Sequence, residues 1–330
     1  MIKSVDVGTN TLISAVMDEN EQPVFKIQRD AFFRVVPKSS VNSKSIKLSL
    51  DRRNASYIID EDGSYIVVGN DALDMAIERG GVTERPLSEG VISAKSKASL
   101  PIIKLLLKNI LGEGVEGSKL VYSIPAIPID QNFDVLYHEK ILGLFFKELG
   151  YEASAINEAF AVGLSELLDS GLTGICVSYG SGMTNVCVMH EGDSLVNFSL
   201  TKSGDWIDNS VGRALDLSPS IVLQEKEAGT DLYNPKDEIS SAINVYFNGV
   251  IKYTIENIIS ELNKRKKELP RFKDPVPLVV SGGLTLANGF VRKVNETLIG
   301  LDFPIKISEV IRAKDPMTAV AHGCLLAAYL

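Results

Sequence analysis

The chain opens with a pattern of period two. Val5 and Val7 alternate with Asp6, the tripeptide Gly8-Thr9-Asn10 interrupts, and Leu12 to Val16 returns as an apolar run. This predicts a hairpin over Ser4–Val16 with the polar tripeptide as its turn. Pro23–Arg29 follows as a third strand. From Ala31 to Gly69 the chain is polar and strand-like only in pieces, at Tyr57–Asp60 and Tyr65–Val68, which predicts a small inserted subdomain. Asn70–Arg79 reads as a short helix. Arg85–Ile92 reads as a turn leading into a helix over Ser93–Leu111, broken early by Pro101. Lys119–Ile124 reads as a buried-type strand ended by Pro125, and Asp130–Leu149 reads as a helix with Gly150 at its C-terminal cap. Strand Ala153–Asn157 and a small-faced helix Glu158–Ser170 complete a mixed α/β half.

The opening pattern returns later. Val177 to Met183 opens a second glycine hairpin, and at a shift of 172 positions Gly8 falls on Gly180, Thr9 on Ser181, Met17 on Met189, Glu19 on Glu191 and Val24 on Val196. Three strands are predicted within Gly174–Leu200, then an inserted, mainly helical region from about 205 to 273. Its long helix is predicted to start at Asn234-Pro235, a cap residue followed by proline, and Ile239, Ile243, Phe247, Val250, Ile258 and Leu262 recur at helical spacing. Strands at Pro277–Val280 and Ile305–Ile307 and a small-residue helix Pro316–Leu330 close the chain. A long internal repeat means two similar halves.

At 330 residues there is room for two substantial cores. The net charge of −8 argues against a broad nucleic-acid surface. Cys176, Cys187 and Cys324 lie in apolar runs without metal-type spacing and read as buried thiols in a reducing compartment. His138, His190 and His322 are too scattered for a metal site. No apolar run is long enough for a bilayer span, and nothing reads as a signal peptide or membrane anchor, so a cytoplasmic protein is expected.

The chemistry concentrates in the turns. A glycine turn with hydroxyl and amide side chains presents a concave set of backbone N–H donors that suits a phosphate, and Asp6 at its edge suits a hydrated Mg²⁺. Ser281-Gly282-Gly283 follows a buried strand and allows close approach of a ligand, or is an ordinary strand-to-helix turn. Ser203-Gly204-Asp205 offers helix N-terminal amides to a ribose or phosphate, or Asp205 caps the helix. Lys226 and Glu227 suit a nucleoside, or a solvated helix face. Glu158 starts a helix directly after a strand, where a carboxylate can orient a water or simply favour the helix dipole. The basic run Lys264 to Lys267, with Arg271 and Lys273, reads first as a solvated helix end and second as a contact for an anionic partner.

In order along the chain, Asp6 to Asn10, Asn157-Glu158-Ala159, Ser178 to Thr184, Ser281-Gly282-Gly283 and Asp315 to Gly323 resemble the landmarks of the actin-like ATPase superfamily, which includes actin, MreB, ParM and the nucleotide domain of the seventy-kilodalton heat-shock chaperones. Arg85–Ile92 and Asp315–Gly323 look closest to the prokaryotic MreB-like actins. The resemblance implies two actin-like, ribonuclease H-like α/β domains flanking a nucleotide cleft, each with a smaller insert. The first would span 1–157, with its insert near 31–90 and completion by helix 316–330; the second would span 158–315, with its insert near 205–273. It further implies ATP or ADP with Mg²⁺. Gly8, Thr9, Asn10, Gly180, Ser181, Gly182 and Met183 would hold the phosphates, and Gly204, Asp205, Lys226, Glu227, Gly282, Gly283 and Leu286 the rest of the nucleotide. Glu158 would place the attacking water, and Asp6 and Ser178 would hold the metal through water. Filament formation by self-association, with adaptor proteins as further partners, is expected on the same ground. One departure stands out: Ser178 occupies a position where these ATPases normally carry aspartate, so metal binding and hydrolysis should be weaker. A non-polymerising switch or chaperone-like module, and an exopolyphosphatase or kinase of the same fold, are the alternatives; no carboxylate base for a sugar hydroxyl is evident.

Overall fold

The computed structural model describes residues 1–92 and 99–330. Its framework is two five-stranded sheets of one design. In the first, β1 (Ile2–Val7), β2 (Thr11–Met17) and β3 (Pro23–Arg29) form an antiparallel meander. An insert follows: β4 (Phe32–Val35), α1 (Ser40–Arg52), β5 (Tyr57–Ile59), β6 (Tyr65–Val68), α2 (Asn70–Arg79) and the small hairpin β7 (Leu87–Ser88) and β8 (Val91–Ile92). The chain then runs through α3 (Ser99–Leu111), β9 (Lys119–Ile124), α4 (Leu136–Glu148), β10 (Glu152–Asn157) and α5 (Glu158–Glu166). β9 and β10 add parallel to β1, giving the order β3-β2-β1-β9-β10.

The second sheet repeats this. β11 (Gly174–Tyr179), β12 (Thr184–His190) and β13 (Asp193–Leu200) form its meander; α6 (Gly204–Leu215), α7 (Pro219–Ala228) and α8 (Glu238–Lys264) follow. β14 (Val276–Ser281), α9 (Phe290–Leu298), β15 (Ile307–Arg312) and α10 (Ala319–Ala327) complete the chain, and the order is β13-β12-β11-β14-β15. The echo in the sequence is therefore a repeat of topology, and Asp6 and Ser178 hold equivalent places on β1 and β11.

Two helices join the halves. α10 packs on β1, β2 and β9, α5 packs on β11 and β12, and the two helices cross between the sheets. Their apolar layer of Ala159, Val162, Ala319, Val320 and Cys324 is buried with Val121 of the first sheet and Cys176, Cys187 and Val279 of the second. Small residues set the spacing. A Cβ on Gly323 would overlap the Ala161 carbonyl, and one on Gly163 would overlap the Met189 sulfur. The free thiols are packing groups of this layer.

Several local expectations are corrected. Residues 40–52, for which no element was predicted, are helical: Ser39 caps α1 by accepting the Asn42 amide at 3.1 Å, and only Ile46 and Leu50 are buried, too few to print a helical period. The helix expected from Asp130 starts at Leu136, because the Asp130 carboxylate accepts the Thr201 amide at 3.0 Å and ties that segment to the second half. The long helix starts at Glu238 rather than at Asn234-Pro235; Asp237 and Ser240 form a capping box, while Asp231 accepts from the Asn234 amide. Among the described residues α3 runs from Ser99 through Pro101 to Leu111 without a break. The part of that expected helix from Ser93 to residue 98 lies outside the described residues. α5 ends at Glu166 and is followed by a short 3₁₀ turn at Leu168–Ser170, the last strand is Ile307–Arg312 rather than Ile305–Ile307, and α10 begins at Ala319. Gly283–Leu286 is a 3₁₀ turn, so Ser281-Gly282-Gly283 does not itself open the helix.

The helix crossing leaves no freedom for Gly323. Gly323→Ala is expected to destabilise by about 3 kcal/mol, because the clash is with backbone. Gly249→Ala, inside α8 with only the Trp206 ring within 4 Å, is expected to stabilise by about 0.5–1 kcal/mol. Urea unfolding of both variants measures the two signs; equal effects would remove the crossing as the tight point.

Candidate functional site

The two glycine turns face each other between the sheets. In each, the glycine lies against the carbonyl three residues on: a Cβ on Gly8 would sit 2.8 Å from the Thr11 oxygen, and one on Gly180 would sit 2.8 Å from the Met183 oxygen. The Gly180 amide donates to the Met183 carbonyl at 3.0 Å, closing the second turn. The turns meet so closely that Gly182 has no space for a side chain beside Thr9, whose hydroxyl accepts the Gly90 amide at 3.1 Å.

Between them lies a narrow pocket of about 120 Å³ lined by Asp6, Gly8, Thr9, Asn10, Glu158, Ser178, Gly180 to Met183, Gly282 and Gly283. It opens, through shared walls at Asn10, Gly180, Ser181, Gly283 and Met317, into a chamber of about 710 Å³. The chamber is lined by Gly204, Lys226, Glu227, Leu284 and Leu286 with apolar Ile27, Leu223 and Phe247. A wide chamber of partly apolar wall leading to a narrow polar channel has the shape of a nucleotide, and its size is ordinary for a small-molecule site. Of the residues singled out from the sequence, all but Asp205 line one of these two spaces.

The pocket floor holds two buried carboxylates. Asp6 accepts the Ser123 hydroxyl at 2.7 Å, and Glu158 accepts the Asn185 side-chain amide at 2.9 Å. Burial pushes Asp6 up to about 6 despite the Ser123 bond. Burial, with Asp6 as a like charge, pushes Glu158 up to about 8; Asn185 and Ser178 pull it only partly back. Glu158 is carried there by α5, whose Asn157 cap accepts the Ala159 amide at 3.0 Å. Two crowded carboxylates of raised proton affinity favour a positive charge beside them. Among the described residues no three His, Cys, Asp or Glu side chains cluster for a metal. Asp6 and Ser178 thus fit an ion held largely through water and a ligand's own oxygens, in the manner of Mg²⁺.

Around the chamber the charged residues already have protein partners. Lys226 pairs with Asp208 at 2.7 Å and donates to the Gly204 carbonyl at 3.0 Å. Glu227 accepts Arg29 at two positions, both 2.9 Å, and Asn10 at 3.2 Å. Asp205 pairs with Arg85 at 3.0 Å and accepts the Ser181 hydroxyl at 2.6 Å. The α6 amides expected to meet a ligand donate instead to the second turn, Gly204 to the Gly180 carbonyl and Asp205 to the Ser181 carbonyl. Asp205 is not the cap of α6; that position is Ser203. Gly282 has φ +90° and lies against the Tyr179 backbone, so only glycine fits there. The Met183 side chain is buried and packs toward Gly90, leaving its backbone to the turn.

Sequence reasoning missed Arg29, Asp30, Arg85, Ser123 and Asn185. Asp30 is fully buried with one oxygen unpartnered, and burial holds its carboxyl well above the usual range. A polar residue inside an apolar run was the available signal for Ser123 and Asn185.

Two facing β-meander domains with a cleft between paired glycine turns define the actin-like ATPase fold. Solved structures with this fold include a MamK double helical filament (19% identity, TM-score 0.71, covering 100% of this chain and 98% of that one). MreB5 of Spiroplasma citri bound to AMPPNP is similar at 16% identity and TM-score 0.68, covering 98% and 94%. The ethanolamine utilization protein EutJ from Carboxydothermus hydrogenoformans is similar at 16% identity and TM-score 0.55, covering 98% and 88%. A comparison with curated protein sequences finds no significant match. The chain belongs to the Volactin family, whose sequence profile matches residues 1–328.

Raised carboxyl pKa values make the folded, ligand-free protein hold protons that the unfolded chain has released. On this account stability is greatest below about pH 4, where both states hold the protons, and is lost as pH rises to about 6 for Asp6 and to about 8 for Glu158, levelling off above that. In EDTA without nucleotide, the melting temperature of the wild type is expected to drop between pH 6 and 8.5. Glu158→Gln is expected to flatten that slope and to melt higher than wild type at pH 8. An unchanged slope in the variant would exclude Glu158 as its source.

Proposed function

We propose that this protein binds ATP with Mg²⁺ between its two domains, hydrolyses it and assembles into nucleotide-dependent filaments. The observation that carries the reading is the pair of glycine turns facing each other over two buried carboxylates. Their backbone N–H groups would hold the phosphates, Gly282, Gly283 and Leu286 the base side of the chamber, and Lys226 and Glu227 the nucleoside. The metal would neutralise phosphate charge. Asp6, and Ser178 more weakly, would hold its water shell. Glu158, whose proton affinity is raised toward neutrality, orients a water and accepts its proton. Ser178 removes a negative charge from the metal side, which favours slow turnover.

The similarity to a MamK double helical filament and to an AMPPNP-bound MreB5 supports self-association and nucleotide use here. Filament contacts are expected to be head-to-tail, since a heterologous interface that does not close makes a fibre.

Ultracentrifugation with Mg-ATP, Mg-ADP or no nucleotide, with phosphate release followed in the same samples, tests the whole reading. Pelleting that depends on Mg-ATP, together with phosphate release, is expected; a protein that stays soluble while binding ATP would leave only the switch or enzyme readings. Glu158→Ala is expected to abolish hydrolysis and keep the Kd for ATP, and loss of binding would make Glu158 structural instead. Ser178→Asp is expected to raise Mg²⁺-dependent turnover severalfold, with unchanged or lower turnover counting against the role given to that position.

A further inference from the structure

The mouth of the cleft is bridged by two arginines of the first half. Arg29 ends β3, paired in register with Thr11 beside the first glycine turn, and its amide is fixed by the Asn70 side chain at 3.1 Å. Its guanidinium grips Glu227 of α7 with two bonds of 2.9 Å. Arg85, just before β7, reaches Asp205 of α6 at 3.0 Å and donates to the Ser181 hydroxyl at 3.1 Å. A cavity of about 300 Å³ lies between these bridges, lined by both arginines, Asp30, Asp205, Asp208 and Glu227.

The wiring of the two bridges is alike. Each carboxylate of the second half is shared between an arginine from the first half and a side chain of a glycine turn: Glu227 with Asn10, and Asp205 with Ser181. When the halves separate, the Asn10–Glu227 bond is lost together with the Arg29 pair, whereas Ser181 and Asp205 belong to the same half and keep theirs. The Arg29 and Glu227 side chains are 33% and 41% exposed, open enough to be screened by salt. Arg85 and Asp205, at 29% and 19%, are less so. Neither pair uses backbone at its tip, so both open without unfolding an element.

We propose that Arg29 and Arg85 are positioning residues that form an ionic clasp across the cleft, holding the two domains closed and setting how long a bound nucleotide is retained. The retention half rests on the nucleotide reading above; the closure half does not. Because Glu227 serves both the clasp and the nucleoside chamber, Arg29 competes for it when the chamber is empty and must share it when the chamber fills. Retention is then tuned by a residue on the opposite domain from the one that contacts the nucleoside.

Small-angle scattering of the nucleotide-free protein reads closure directly. Arg29→Ala with Arg85→Ala is expected to enlarge the radius of gyration relative to wild type at 50 mM salt, and 500 mM salt to bring wild type toward the variant. The exchanged pair Arg29→Glu with Glu227→Arg is expected to restore compactness, which a merely structural role for Arg29 would not allow. Stopped-flow release of a fluorescent ADP analogue reads retention. Release about tenfold faster in the double variant, with a flattened salt dependence, is expected from two partly exposed pairs. Arg29→Lys should fall between, since it keeps the charge and loses the two-point grip. Unchanged compactness in the double variant, or failure of the exchanged pair to recover it, overturns the clasp. Unchanged release with wild-type binding intact overturns its role in retention. A wild type that binds no nucleotide removes the retention half and the nucleotide reading together, and scattering alone then decides the clasp.

Discussion

The arrangement depends on how closely α5 and α10 cross. With alanine, glycine and cysteine in the layer between the sheets, the helix backbones come within contact of each other at Gly323 and Ala161. That distance sets the gap between β1 and β11, and so the gap between the two glycine turns at their ends. A wider crossing would separate Thr9 from Gly182 and open the floor on which Asp6 and Glu158 stand. Close packing of this kind transmits small volume changes instead of absorbing them.

The same crossing accounts for the electrostatics of the floor. α5 delivers Glu158 at its first turn, straight off β10, into space already occupied by Asp6 from the other half. Burial raises the proton affinity of both, and their mutual repulsion adds to Glu158. Burying two such acids together is costly for folding unless they hold protons or something positive joins them. Ser178, at the place on β11 equivalent to that of Asp6 on β1, adds no third acid to this floor.

The mouth of the cleft solves a different problem. There the charges are paired with each other across the gap, at partial exposure, in bridges that water and salt can compete with. The cleft thus carries buried acids at its floor and partly exposed ion pairs at its mouth. Lys226 belongs to neither. Its side chain is nearly buried, paired with Asp208, and it stitches α7 to α6.

Much of this was legible in the chain itself because the signals are local. β3, β9 and α2 were bounded to the residue, and the repeated glycine turns forecast two sheets of one topology before any contact was known. Glu158, Gly8 to Asn10 and Gly180 to Met183 stood out because strand-turn and strand-helix junctions carry their own residue types. Helix α1 did not, since two buried positions in thirteen residues leave no period to detect. Arg29 and Arg85 were equally invisible: an arginine at a strand end and one before a turn look ordinary until the fold brings a carboxylate to each. Sequence alone determined where the turns and acids lie, because backbone conformation is chosen locally. Tertiary structure decided which charges meet, because those pairs join residues separated by up to about two hundred positions, and only packing of α5 against α10 brings them together.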